Sequence, residues 1–125
     1  MTGSADQDAR ERLRARVREV LGALLGDDPG DVVEKRMFGG VALMVRGDLL
    51  LSAGGDGRLL VRVADERSEE LQRRPGVEIG TKGGRTMGPR WLEVAADVVA
   101  DDEELRFWVG EALAGQARRA GGAAR

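Results

Sequence analysis

The strongest constraint on the fold is the stretch KRMFGGVALMVRGDLLLSAGGDGRLLVRV, residues 35–63. From Met37 onward, short apolar runs are separated by Gly47-Asp48 and by the GGDG sequence of residues 54–57. A pair that begins with glycine suits a two-residue hairpin turn, and a glycine cluster suits a longer one. The pattern therefore predicts a meander of three antiparallel strands that begins at Met37.

Successive side chains of a strand point to opposite faces. Both faces of the first predicted strand are nearly apolar. One side carries Phe38, Gly40, Ala42 and Met44. The other side carries Met37, Gly39, Val41, Leu43 and Val45. An antiparallel sheet commonly packs one face on the core and leaves the other to solvent. We therefore expect the Phe38 side to be covered by a helix or by another subunit.

Gly39 and Gly40 remove two side chains where this strand is predicted to begin. Glycine inside a strand typically marks a bulge or the close approach of another part of the chain. The pair therefore predicts a bulge or a closely packed helix, with Phe38 and either Trp91 or Trp108 filling the space. A phosphate-binding loop is the alternative, but such loops follow a strand and open a helix. The structural interpretation is favoured.

Three helices are predicted around these strands. In the first, at about residues 8–25, apolar residues recur at helical spacing, and Asp8 with Glu11 resembles an N-terminal capping box. A short helix at about residues 65–73 precedes Pro75-Gly76, and RWLEVA, residues 90–95, reads as extended. The last helix should bury Leu105, Trp108, Val109, Ala112 and Leu113. Together these elements predict an α+β fold with an antiparallel sheet of about four strands, the meander plus one.

The chain has the length of a single domain, which we place at residues 8–117. Segments 1–7 and 118–125 are small and polar, so we expect them to be disordered tails. The N-terminal sequence MTGSADQDARERLR has no apolar centre, and no apolar run approaches the roughly 20 residues of a membrane helix. The sequence thus predicts a cytoplasmic protein that does not associate with membranes.

The residue inventory limits the chemistry available to this chain. Histidine, cysteine and tyrosine are absent, which removes the commonest general base, the commonest metal ligands and any disulfide. The acids of residues 101–104 stand where a helix should start, and negative charge stabilises that position. Asp27 and Asp28 lack the spacing of a calcium loop. We therefore expect no catalytic residue, no metal and no cofactor.

Several motifs together resemble the N-terminal domain of the TfoX/Sxy family of bacterial competence regulators. They are KRMFGG, the apolar hairpin ending at Gly47, LLVRV, the spaced Met87, Trp91 and Val94, and DDEELRFWVGEAL. The resemblance covers about residues 8–115. It implies an α+β fold with helices packed on an antiparallel sheet, and a link to transcriptional control without a catalytic residue set. The family signature, for which we expect a structural role, consists of Met37, Phe38, Gly39, Gly40, Met87, Trp91, Val94 and Trp108.

Two interpretations of function follow. The first is a non-catalytic domain that acts through protein–protein contacts, including self-association, in transcriptional regulation. The alternative is a nucleic-acid-binding module that uses the arginine-rich first helix and the loop of residues 82–90. Its candidate contacts to an anion or nucleic acid are Arg12, Arg16, Lys82, Arg85 and Arg90. A net charge of -2 and an aromatic content of 3% oppose strong DNA binding by the domain alone.

Overall fold

The computed structural model describes residues 2–26, 32–37, 40–82 and 84–123. Its helices are α1 (Thr2–Leu25), α2 (Asp65–Gln72), α3 (Ala96–Val99) and α4 (Asp102–Ala123). Its strands are β1 (Val32–Met37), β2 (Gly40–Val45), β3 (Asp48–Gly54), β4 (Leu59–Arg62), β5 (Val77–Ile79), β6 (Thr81–Lys82), β7 (Arg85–Thr86) and β8 (Trp91–Val94).

The described strands form a six-stranded antiparallel sheet in the order β1-β2-β3-β4-β8-β5, and β6 pairs with β7 in a separate hairpin. The predicted α+β class and antiparallel sheet are confirmed. The meander corresponds to β2, β3 and β4, and β8 is the additional strand. The sheet is larger than predicted because β1 and the three-residue β5 extend its two edges.

The start of the meander was misplaced. Met37 ends β1 and pairs with Gly40, the first residue of β2. Met37 and Val41 therefore belong to different strands. The prediction that one strand runs from Met37 to Val45 is wrong, because the chain changes strand at the glycine pair. The sequence VVEKRM of β1 is half charged, which is common for an edge strand that meets solvent. Phe38 and Gly39 lie outside the described residues.

One face of the sheet carries the helices, and we call it the helical face. Two rows of side chains in register across the strands lie on this face and are largely buried. The first row is Val41, Ala53, Leu59, Val94 and Val77. The second row is Leu43, Leu51, Val61, Leu92 and Ile79. α1 contacts β2 and β3, and α4 contacts β3 and β4, so the apolar stripes of both helices close the core over this face.

α1 begins at Thr2, so Asp8 is inside the helix and does not cap it. Once a helix is nucleated, each added residue gains one backbone hydrogen bond, so polar residues can prolong it. α1 and α4 thereby extend into the segments expected to be tails. At the start of α4, Asp101 Oδ2 accepts a hydrogen bond of 3.0 Å from the backbone N–H of Glu104, as expected for a capping residue.

Gly40 is glycine because a neighbouring strand is too close for a side chain. A Cβ at this position would lie 2.1 Å from the backbone oxygen of Ala53 on β3. The predicted close approach therefore exists, but it comes from a strand and not from a helix. The bulge in this hairpin lies further on, where the register between β2 and β3 shifts at Leu43 and Met44.

The turn between β2 and β3 consists of Arg46 and Gly47, one residue earlier than predicted. Both residues have positive φ, 55° and 80°. Two successive positive φ values characterise the type I′ turn, whose twist matches that of the flanking strands. Val45 and Asp48 pair across the turn, which fixes the faces of all residues in β2 and β3.

Candidate functional site: the open face of the sheet

The face opposite the helices has no helix packed on it within the described part of the chain, and we call it the open face. The register places Ala42, Ser52, Leu60, Glu93 and Glu78 in one row across it. This is the side of β2 that carries Ala42 and Met44, the Phe38 side of the predicted strand, for which we expected a cover by a helix or by another subunit. The described helices lie on the other side, so the first of these covers is not present.

An apolar row crosses one end of the open face. Val33 on β1 is opposite Met44 on β2, which is opposite Leu49 on β3. Val33 is 49% exposed, and Met44 and Leu49 are half-buried. We call these three residues the apolar row. Apolar side chains in register on an uncovered sheet face offer a surface that another protein can bury.

Met37 extends the apolar surface along β1. Its side chain is 38% exposed and lies on the same face as Val33. The next two residues across the sheet at this level are Gly40 and Gly54. Because neither has a side chain, Met37 has no side-chain neighbour on β2 or β3 at its own level.

A segment made up of residues 80–82 and 84–87 lies over the other end of the open face. The backbone N–H of Gly80 donates to the oxygen of Trp91, and the N–H of Met87 donates to the oxygen of Gly80, both over 2.8 Å. A Cβ at Gly80 would lie 2.6 Å from Leu60 Cδ1 and 3.4 Å from Met87 Sδ. Glycine at position 80 therefore lets this segment pack directly on the sheet.

Between this segment and the sheet is a cleft of about 320 Å³. It is lined by Ser52, Gly54, Gly55, Asp56, Arg58, Leu60, Thr81 and Glu93. The Arg58 guanidinium lies 2.7 Å from Asp56 and 3.0 Å from Glu93. The pKa of Arg58 is raised, and its hydrogen bond to Glu93 is the largest cause. One guanidinium faces two carboxylates, so these three side chains leave the cleft with a net charge of about -1 beside hydroxyl, peptide and apolar groups.

Asp48 connects the sheet to α4 beside the apolar row. Its carboxylate accepts hydrogen bonds from Arg62 on β4, over 3.0 Å, and from Arg119 on α4, over 2.8 Å. Burial acts to raise the pKa of Asp48, but the hydrogen bond and charge of Arg119, with the charge of Arg62, outweigh burial and hold that pKa below its ordinary value. The carboxylate thus stays ionised and holds the helix to the strands.

The predicted basic contacts do not form one surface. On α1, Arg12 is exposed, whereas Arg16 donates to Asp102 at the start of α4 over 2.9 Å. Lys82 belongs to β6 and Arg85 is an exposed residue of β7. Arg90 lies 3.4 Å from Asp65 at the start of α2. Arg16 meets α4 at its first residue, whereas Arg90 lines a pocket with Gly115 and Arg118 near the other end of that helix. The two arginines are therefore far apart.

The signature residues divide between the core and the open face. Val94 and Trp108 are fully buried and Gly40 is buried; the Trp108 ring meets Phe107 edge to face at 5.2 Å. Met87 and Trp91 are half-buried, and the Arg62 guanidinium lies 6.0 Å from the Trp91 ring centre. The structural role expected of the whole signature remains a prediction, while the exposure of Met37 and Trp91 gives both a surface position.

Sequence reasoning assigned no surface role to Val33 or Leu49, and it placed Asp48 in a hairpin turn. The alternation of Val33, Lys35 and Met37 with Val32, Glu34 and Arg36 was the available signal for β1. It is weak, because half of these residues are charged. The partners of Asp48 are distant in sequence and could be found only from the fold.

Among the described residues, no group of three or more acidic side chains is placed to hold a metal ion. No described helix is both long and apolar enough to cross a membrane.

These observations define the molecule as an α+β domain that packs its helices on one face of an antiparallel sheet. A family model, the TfoX N-terminal domain, matches residues 23–116. That match covers most of the chain, so the protein belongs to the TfoX N-terminal domain family, as the sequence motifs suggested. A search of curated proteins found no match.

Proposed function

We propose that this domain acts without catalysis, by binding a protein partner through the open face of its sheet. The observation that supports this most directly is the apolar row, with Val33 at 49% exposure, on a face that the described helices leave uncovered. The core is closed on the opposite face, so the apolar row is not needed to complete it. The chain also lacks histidine, cysteine and tyrosine, which leaves few groups for acid–base or nucleophilic catalysis.

The biological setting of this contact is part of the same proposal. The family resemblance implies transcriptional regulation in a bacterium, and the sequence predicts a cytoplasmic location. A protein contact fits a regulatory role because it can alter a partner without changing it chemically. The nucleic-acid alternative has less support, since Arg16 is paired with Asp102 and Arg90 lies beside Asp65, near opposite ends of α4.

The test is affinity capture from the native cell, with protein and nucleic acid in the eluate measured separately. The double variant Met44→Glu and Leu49→Glu places charge in the apolar row at half-buried positions. Ala114→Glu together with Ala117→Glu, both at exposed positions on α4, is the charge-matched control. We expect a specific protein to be captured by the wild type and by the control and to be lost with the double variant, all three having the same circular dichroism spectrum.

Two outcomes would contradict the proposal. One is capture that the double variant leaves unchanged, which would place the working surface elsewhere. The other is recovery of nucleic acid in place of a protein partner, which would favour the alternative.

A further inference from the structure

β1 is an edge of the sheet, since β2 is its one neighbour in the described strand order. An edge strand presents a row of backbone N–H and C=O groups that can pair with another strand. At six residues β1 is twice as long as β5 at the opposite edge. It is therefore the edge at which strand addition could form more hydrogen bonds.

The side chains of β1 differ between its two faces. Val33 and Met37, two of the three exposed large apolar residues in the described part of the chain, lie four residues apart on the open face. Glu34 and Arg36 lie on the helical face, opposite Leu43 and Val41. Glu34 is 3.3 Å from both Arg14 and Arg18 of α1, whereas Arg36 is exposed and makes no ion pair with another described residue.

We propose that β1 pairs with β1 of a second copy of this chain, antiparallel and about a two-fold axis at Lys35. In this register Val33 is opposite Met37 of the second copy, and Glu34 is opposite Arg36 of the second copy. Directly opposed Cβ atoms in such a pair are about 4.5–5.5 Å apart. The exposed apolar residues thus cover one another, and Arg36 gains a carboxylate that the described residues of its own chain do not provide.

Other registers are less favourable. Moving the axis by one residue toward either end places Glu34 opposite Glu34 or Arg36 opposite Arg36 of the second copy. If the axis lay between two residues, open-face positions of one copy would be opposite helical-face positions of the other. Val33 would then no longer be opposite Met37 of the second copy. In the preferred register the two six-stranded sheets become continuous, and the helices of both copies lie on the same side.

Lys35 is the unfavourable element of this pairing, because it lies opposite its own copy at the axis. Lysine on an edge strand commonly opposes strand pairing, while its flexible stem allows the charged end to turn into water. The pairing should therefore be reversible and dependent on concentration. This inference extends the proposed function to the edge of the sheet, and a result against it would leave the contact through the open face untouched.

The experiment is sedimentation velocity of the full chain over a concentration series. We expect the wild type to shift from monomer to dimer. Arg36→Glu places a carboxylate opposite Glu34 of the second copy and should weaken the dimer at least tenfold. Lys35→Thr removes the repulsion between the two lysines at the axis and should strengthen the dimer. Arg73→Glu is the matched charge reversal, since Arg73 is an exposed residue outside the sheet, and it should leave the dimer unchanged.

A second measurement reads the register directly. The chain has no cysteine, so Lys35→Cys introduces a single thiol at the axis, and mild oxidation should join two copies by a disulfide. Arg73→Cys should not cross-link under the same conditions. A wild-type monomer at every soluble concentration would overturn the inference, as would a dimer that persists in Arg36→Glu or weakens in Lys35→Thr. Circular dichroism of each variant verifies that the fold is retained.

Discussion

Gln116 Nε2 donates a hydrogen bond of 2.7 Å to the backbone oxygen of Val45, and this bond joins α4 to β2 in the protein interior. Gln116 is 8% exposed. Replacing it with leucine would leave a buried carbonyl without this donor, and we expect Gln116→Leu to lower the free energy of unfolding by about 1–3 kcal/mol. Urea denaturation measures the change. Gln7→Leu, at an exposed position on α1, is the control, and equal stabilities of the two variants would show that the bond contributes nothing.

Gly40→Ala should destabilise the domain by about 1–3 kcal/mol, because its Cβ would meet the Ala53 backbone oxygen at 2.1 Å and the strands would have to separate. Gly22→Ala is the matched control. At Gly22 in α1 a Cβ would meet nothing within 4 Å, so this change should stabilise by up to about 1 kcal/mol through helix propensity. Denaturant melts of both variants provide the comparison. If Gly40→Ala unfolds at the same denaturant concentration as the wild type, the close approach of β3 is not the reason for glycine at this position.

Asp48 should make stability depend on pH in the acid range. Its pKa is lowered in the folded state, so its contribution is fully present above the unfolded pKa of about 4 and is lost as the pH falls through the lower folded pKa. The stability difference between the wild type and Asp48→Asn should therefore be greatest near neutral pH and shrink below about pH 4. Urea melts across a pH series test this, with the exposed Asp97→Asn as control. A difference that stays constant into acid would refute the assignment to Asp48.

Duplex DNA should bind the isolated domain only weakly, at about 10⁻⁴ to 10⁻⁶ M at physiological salt, the range of non-specific binding. The net charge of -2 opposes approach to phosphate, and Arg16 is already paired with Asp102. Fluorescence anisotropy with a labelled duplex across a salt series is the measurement. Submicromolar affinity with a steep salt dependence, abolished by Arg12→Gln with Arg16→Gln, would make α1 a nucleic-acid surface.

The sequence by itself determined the elements whose signals are local. Short apolar runs between glycine-containing turns indicate the hairpin strands, and α4 shows an apolar stripe of helical period. β2, β3, β4 and α4 could therefore be predicted from the residues alone, apart from the start of β2. Leu105, Trp108, Val109 and Ala112 of the predicted stripe are all buried. The family, too, was recognisable from short motifs, because the residues that carry them are close together in the chain.

Tertiary structure decided what depends on distant partners. β8 lies between β4 and β5, although β5 precedes it in the chain, and no local pattern contains that order. Gly40 could be recognised as an unusual position, but the strand that requires it, β3, becomes its neighbour only after the hairpin closes. The candidate site follows the same rule. Val33, Met44 and Leu49 belong to three strands, and they form one row only because the strand register places them opposite one another. They lie on the open face because α1 and α4 pack on the opposite face of the sheet.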